Sequence, residues 1–274
     1  MEFETILVED RDGVRVLVLN RPERMNAWTY RMGAELAAAV RVGNEDDDVE
    51  AFVVTGAGRG FCAGADVGDV FGKERSGDGA GGGEEADGGR EGPRDWVGLV
   101  RASKPMVAAI NGAAIGVGLT QVLPFDAILA AEGAKLSVRF IRMGLVPELA
   151  SSQFLLQRVG FGAASDLMLT GRTILAEEAH EMGLVDAVVA PEALLTAALD
   201  RARAMGSNPQ QALRMVKELL TVNAHETDLA RVQQRELAAL QVCYTSPEHR
   251  EAIAAFLEKR EPDFRAARRS GSGD

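Results

Sequence analysis

The stretch from Lys104 to Glu148 constrains this chain more than any other. It opens KPMVAAINGAAIGVGLTQ and closes FIRMGLVPELASS. Met106 to Ile110 is a short apolar run that reads as a buried strand, and Asn111-Gly112 ends it. Gly112, Gly116 and Gly118 then let the backbone turn tightly and let a ligand approach it closely. A helix is expected to start at this turn. Backbone N–H groups in such a position stabilise developing negative charge. The far end carries one acid, Glu148, among apolar and basic residues, and no other carboxylate occurs between Glu132 and Asp166. An anion-holding turn and one isolated acid are the features to explain.

The rest of the chain suggests an α/β core followed by a helical region. Phe3 to Val8 and Val14 to Leu19 read as strands of a hairpin turning at Asp10 to Gly13. Thr29 is placed to cap a helix with Met32, Leu36, Ala39 and Val40 on one face, and Gly43-Asn44 reads as its stop. The acidic run Glu45 to Glu50 reads as a solvated turn. Ala51 to Val54 is a strand leading into TGAGRGFCAGAD. Gly56-Ala57-Gly58 invites a dinucleotide-binding reading, but the sixth position is Phe61 and no helical pattern follows. A second loop of close backbone approach accounts for it better. Ser76 to Gly92 is glycine-rich and reads as a mobile surface loop, with a lid over a substrate entrance as the alternative. A strand over Ala127 to Ala130 follows, then helices broken at Gly160-Phe161-Gly162. From Pro191 onward the pattern is nearly all helical, and residues 265 to 274 read as a frayed tail.

Bulk properties narrow the class. The 274 residues are 46% hydrophobic, enough for a full core. With 30 basic and 41 acidic side chains the net charge is −11, which argues against general nucleic-acid binding. No apolar run approaches the ~18 residues of a membrane span, and the first residues lack a basic leader. Cys62 and Cys243 suggest no disulfide framework, so a reducing cytoplasm is the expected location. The three histidines have no metal-ligand spacing, and no metal is expected.

LNRPERMNA, TGAGRGFCAGAD, KPMVAAINGAAIGVG, LTGRTILAEEAHEMGLVD and FLEKREPDF resemble, in order, the hallmarks of the crotonase (enoyl-CoA hydratase/isomerase) superfamily. The likeness spans roughly residues 5 to 264. It implies a spiral core of ββα units over residues 1–190 and a C-terminal helical trimerisation region over 191–264. It also implies acyl-CoA thioester substrates, with coenzyme A as part of the substrate and no separate cofactor. The implied assembly is a homotrimer or a hexamer. The shared chemistry is stabilisation of a thioester enolate by two backbone N–H groups. By motif position these are Ala65 and Val117, the latter where the family usually has glycine. Arg24 resembles the basic residue near the CoA phosphates, and Lys259 the terminal-helix lysine on the 3′-phosphate side. Ala63, Asp66 and Val67 fall in the substrate-contact loop, with a structural role for Asp66 as the alternative.

Hydratases of the family use two glutamates. Their positions fall at Thr120 and Phe140, which cannot act as an acid–base pair. A subset of Δ3-Δ2-enoyl-CoA isomerases carries one glutamate at the Pro-Glu position, which is Glu148 here. Phe140, Ile141, Met143, Leu145 and Val146 would form its apolar wall, while Arg139 and Arg142 would lower its pKa if they face it. Glu148 could instead cap the next helix. Three functions stay open at this point: an isomerase using Glu148, a hydratase or lyase with atypical acid–base groups, and an acyl-CoA-binding protein with little catalysis. Cys62 is expected to be a buried filler and Asp126 a structural acid. Trp28 and Trp96 are expected either to line an acyl channel or to fill core.

Overall fold

The structure, a computed structural model, describes residues 3–70 and 95–271. The expected loop over Ser76 to Gly92 lies outside the described residues. Strands β1 (Ile6–Arg11) and β2 (Val14–Leu19) form the hairpin, turning through Asp12 and Gly13 at positive φ. Strands β3 (Ala51–Gly56), β4 (Met106–Ile110), β6 (Ala127–Ala131) and β9 (Ala187–Val189) extend it in parallel, in the order β1-β2-β3-β4-β6-β9. Three short strands, β5 (Ala114–Ile115), β7 (Lys135–Ser137) and β8 (Ile174–Leu175), form a second sheet.

The parallel strands are apolar without alternation because both faces are covered. Phe52, Val54, Met106, Ala108 and Ile110 face the main core, beneath helix α1 (Tyr30–Glu45). Val53, Val107 and Ala109 face a second core with Leu194, Ala198 and Ala202 of a later helix. Thr29 caps α1 as expected, its side chain accepting from the Met32 N–H. Gly43-Asn44 does not stop α1. Gly43 is buried inside the helix, where Phe52 packs against it and a side chain would collide with the ring.

Helices α2 (Val67–Val70), α3 (Trp96–Ala102) and α4 (Val117–Thr120) are short. Helix α5 (Ser151–Thr170) is kinked at Gly160, where the break was expected. Then come α6 (Ala176–Glu181), α7 (Leu194–Gly206), α8 (Gln210–Asn223), α9 (Leu229–Tyr244), α10 (Pro247–Glu258) and α11 (Phe264–Gly271). Helix α7 packs on the sheet, so the helical stretch from Pro191 begins as part of the core.

Helix α11 corrects two expectations together. The tail from residue 265 is helical to Gly271, and the acidic run before β3 is not simply solvated. Arg265 pairs with Glu50, Arg268 with the buried Glu248 (both 3.1 Å), and Arg269 with Asp48. A basic helix docked on an acidic turn orders both. None of the described helices is long and apolar enough to cross a membrane.

Candidate active site

Three segments distant in sequence are bonded together at the carboxyl ends of β3 and β4. The side chain of Asn26, fully buried, accepts from the Arg21 N–H (2.8 Å) and donates to the carbonyls of Ala57 (2.9 Å) and Gly60 (2.8 Å). Asn111, just after β4, accepts from the Gly56 N–H (3.1 Å) and donates to the Gly58 carbonyl (3.0 Å). Two asparagines therefore clamp the loop that a dinucleotide reading would have made a phosphate cradle. The N–H groups of Gly56, Ala57 and Phe61, which a phosphate would need, already donate to Asn111 and to the carbonyls of Leu19 and Ala113, which removes that reading.

The clamp presents the backbone beyond it. Phe61 and Cys62 donate to Ala113, Ala63 donates to Met25, and Ile115 donates to Cys62. Trp28 donates to Gly64 and Asp66 donates to Trp28, so the two bonds bracket Ala65. Gly116 donates to Ser137 across the second sheet, with φ 55° and ψ −123°, a conformation for glycine alone. Val117 follows as the first residue of α4 and keeps a negative φ, so valine is accommodated where glycine is usual. Gly118 abuts the Cys62 carbonyl so closely that any side chain would collide with it. Among the described residues, the N–H groups of Ala65 and Val117 have no protein acceptor.

Ala65 and Val117 line one cavity of about 590 Å³. Ala63 and Val67 line it too, and so does Glu148. Apolar walls come from Trp28, Tyr30, Val70, Phe140, Met143, Leu145 and Val146. Ile141, expected in that wall, lies beside Gly171 instead. A larger cavity of about 800 Å³, bordered by Lys104, Gln210, Arg214 and Arg268, contains none of the motif residues just named.

Glu148 is the one carboxylate among the described residues that line the smaller cavity. Among the described residues its carboxyl has no hydrogen bond or ion pair, and α5 has no side-chain cap, so the capping alternative falls away. Glu148 is itself exposed to solvent on one side, yet the cavity walls on its other side remove enough water to push the carboxyl pKa up. Loss of water is the sole cause of this shift. Arg139 and Arg142 line the cavity without lowering it, and Arg142 is turned to the Thr170 carbonyl (2.7 Å). Leu149 and Ala150 follow in left-handed conformations (φ 57° and 52°), which bend the chain sharply after Glu148.

Other expected site residues are placed elsewhere. Asp66 binds Arg21 (3.0 Å) and accepts from the Gly68 N–H, so its carboxylate is already engaged, and it is not on the cavity wall. Arg21, which sequence reading passed over for Arg24, thus ties the first loop to the second. Arg24 is exposed on a one-turn helix, Pro22–Arg24, and Lys259 is exposed at the end of α10; neither lines the cavity. Thr120 is fully buried with its hydroxyl unpartnered and does not reach the cavity, whereas Phe140 does.

Cys62 is buried and its thiol is pushed up to about 11, as a filler rather than a nucleophile. Asp126 is structural, accepting from Arg101, Lys217 and the Met106 N–H. Trp96 fills core, its indole donating to the Gln121 carbonyl (2.8 Å), while Trp28 lines the cavity. Among the described residues, no group of three or more His, Cys, Asp and Glu is placed to hold a metal ion.

The arrangement suits a thioester whose carbonyl becomes an enolate beside one proton-transferring acid. Comparison with known proteins gives the family. The enoyl-CoA hydratase/isomerase family model matches residues 9–267. The 1,2-epoxyphenylacetyl-CoA isomerase of Escherichia coli K12 is 37% identical, over 96% of this chain and 98% of that protein. The crotonyl-CoA hydratase of Syntrophomonas wolfei is 34% identical, over 96% and 99%. The enoyl-CoA hydratase structure from Bacillus anthracis superposes with a TM-score of 0.79 at 32% identity, over 96% and 99%. With its mixed α/β core, its C-terminal helices and its ordered motifs, this chain belongs to the crotonase-type enoyl-CoA hydratase/isomerase family, whose members process acyl-CoA thioesters.

Proposed function

We propose that the protein moves a double bond, converting a 3-enoyl-CoA to a 2-enoyl-CoA, with Glu148 as the single proton shuttle. The observation that carries this reading is that one carboxylate and two N–H groups, all unpartnered among the described residues, line one cavity. The Glu148 carboxylate takes a C2 proton made acidic by the thioester. The electron pair moves into the carbonyl, and the oxygen of the dienolate is held by the Ala65 and Val117 N–H groups. The protonated Glu148 then returns the proton at C4 and the double bond settles between C2 and C3. A raised carboxyl pKa suits both halves of that transfer. Among the described residues that line the cavity, no second carboxylate stands beside Glu148 to share the activation of water, because Thr120 is buried outside the cavity and Phe140 is apolar. The chemistry asks for no cofactor beyond the coenzyme A of the substrate. We assign CoA phosphate contacts to Arg24 and Lys259 and a cytoplasmic homotrimer or hexamer as the working assembly, both from the family resemblance.

A hydratase is the second reading, favoured by the names of relatives such as the crotonyl-CoA hydratase. Supplying purified protein with a 3-enoyl-CoA and a 2-enoyl-CoA separates the two. Isomerisation by the wild type that disappears in Glu148→Gln supports the double-bond shift. Efficient hydration that survives the same change overturns it.

A further inference from the structure

Trp28 and Ala65 are bridged in register, with Trp28 donating to Gly64 and accepting from Asp66 (both 2.8 Å). The residue that carries the indole is therefore held against the residue whose N–H is free. Thr29 between Trp28 and Tyr30 is extended (φ −125°, ψ 161°), and both neighbours line the cavity. Their rings meet edge to face, with centroids 5.3 Å apart and planes at 72°. The indole rests on the backbone of α1 at Gly33, where an added Cβ would lie 2.7 Å from Cζ2 and 3.3 Å from Cε2. Phe140 adds a third ring to the cavity from a different segment. An aliphatic chain needs only apolar surface. Fixed aromatic walls also reward a flat π-system through offset and edge contacts.

We infer that the preferred acyl group carries an aromatic ring, and that Trp28, seated on Gly33 and backed by Tyr30, is the residue that selects it. This selectivity names a substrate class for the double-bond reading above and rests on it for turnover. Binding tests it separately. The probes are unreactive 4-phenylbutanoyl-CoA and octanoyl-CoA, titrated calorimetrically. Wild type should bind the phenyl ester tighter by about twofold to tenfold. Trp28→Leu should bring that ratio to about one, and Trp28→Phe should keep part of it. Gly33→Ala, which favours the helix but unseats the indole, should also lower the ratio while the fold holds. A wild-type ratio of one, or equal weakening of both esters by Trp28→Leu, overturns the inference. Turnover of 6-phenyl-3-hexenoyl-CoA, whose double bond is not conjugated with the ring, and of 3-octenoyl-CoA is scored apart. If neither is isomerised while the binding ratio behaves as stated, the double-bond reading fails and the aromatic selectivity stands.

Discussion

The loop from Gly56 to Asp66 and the loop from Arg139 to Ala150 line the same cavity but are held in different ways. The first is tied to residues far away in the chain: Asn26, Asn111, Ala113 and Trp28 all bond to it, and Arg21 pairs with its last acid. The second is held mostly to itself, through bonds such as Leu145 N–H to Phe140 and Ser151 N–H to Glu148. It leaves Met143 63% and Val146 83% exposed and bends through two left-handed residues. The Ala65 N–H, the proposed oxyanion donor on this loop, is thus preorganised by long-range hydrogen bonds, so it would need little rearrangement as charge develops. Glu148, the proposed proton shuttle, sits on a looser, strained segment, where backbone conformation rather than bonding aims it.

The sharpest test of this contrast removes the acid. Glu148→Gln should lower the isomerisation kcat by about 10²–10⁴-fold, the range for a lost general acid–base, with the circular dichroism spectrum unchanged. Next in size, Asn26→Ala leaves the Arg21 N–H and two carbonyls without their partner, and should cost about 2–4 kcal/mol in urea unfolding. Arg142→Ala, on the looser loop, should stay within about 0.5 kcal/mol. Equal losses for these two variants would break the comparison. Ala150→Gly relieves a left-handed alanine and should raise stability by up to about 1 kcal/mol, while kcat falls because Glu148 is aimed less well.

The smallest effect is electrostatic. The Glu148 pKa is raised in the folded protein, so the acid limb of kcat/KM should lie above the ordinary glutamate value of about 4.3, with activity lost as pH falls through it. For stability the sign runs the other way. The folded state holds this proton more tightly than the unfolded chain, so the contribution is greatest below the unfolded pKa and is lost as pH rises through the folded one. Glu148→Gln should therefore melt slightly higher than wild type at pH 8 and no higher at pH 4. A lower melting point at pH 8 would mean that the carboxylate has a stabilising partner.

Much of this was legible in the residues. The hairpin, the Thr29 cap, the apolar strands, the break at Gly160 and the isolated Glu148 follow from patterns a few residues long. The strands β5, β7 and β8 were not legible, because two or three residues carry no periodicity. Arg21 gave no signal beside Arg24, since only the arrival of Asp66 from 45 positions away distinguishes them. The order of the last helix was equally hidden, because a basic tail reads as solvated until Glu50, Asp48 and Glu248 are seen beneath it.

By itself, then, the sequence determined where most of the longer strands and helices form, where the glycine turn must lie and which single acid stands near it. Those properties depend on local sterics, capping and hydrophobic period. The tertiary structure decided which N–H groups stay free, which tryptophan faces the cavity and which carboxylate loses its water. A free donor is defined by acceptors taken elsewhere, at Met25, Trp28, Ala113 and Ser137. A shifted pKa is defined by the walls that close around the group. Both are sums over residues far apart in the chain, and only folding brings them together.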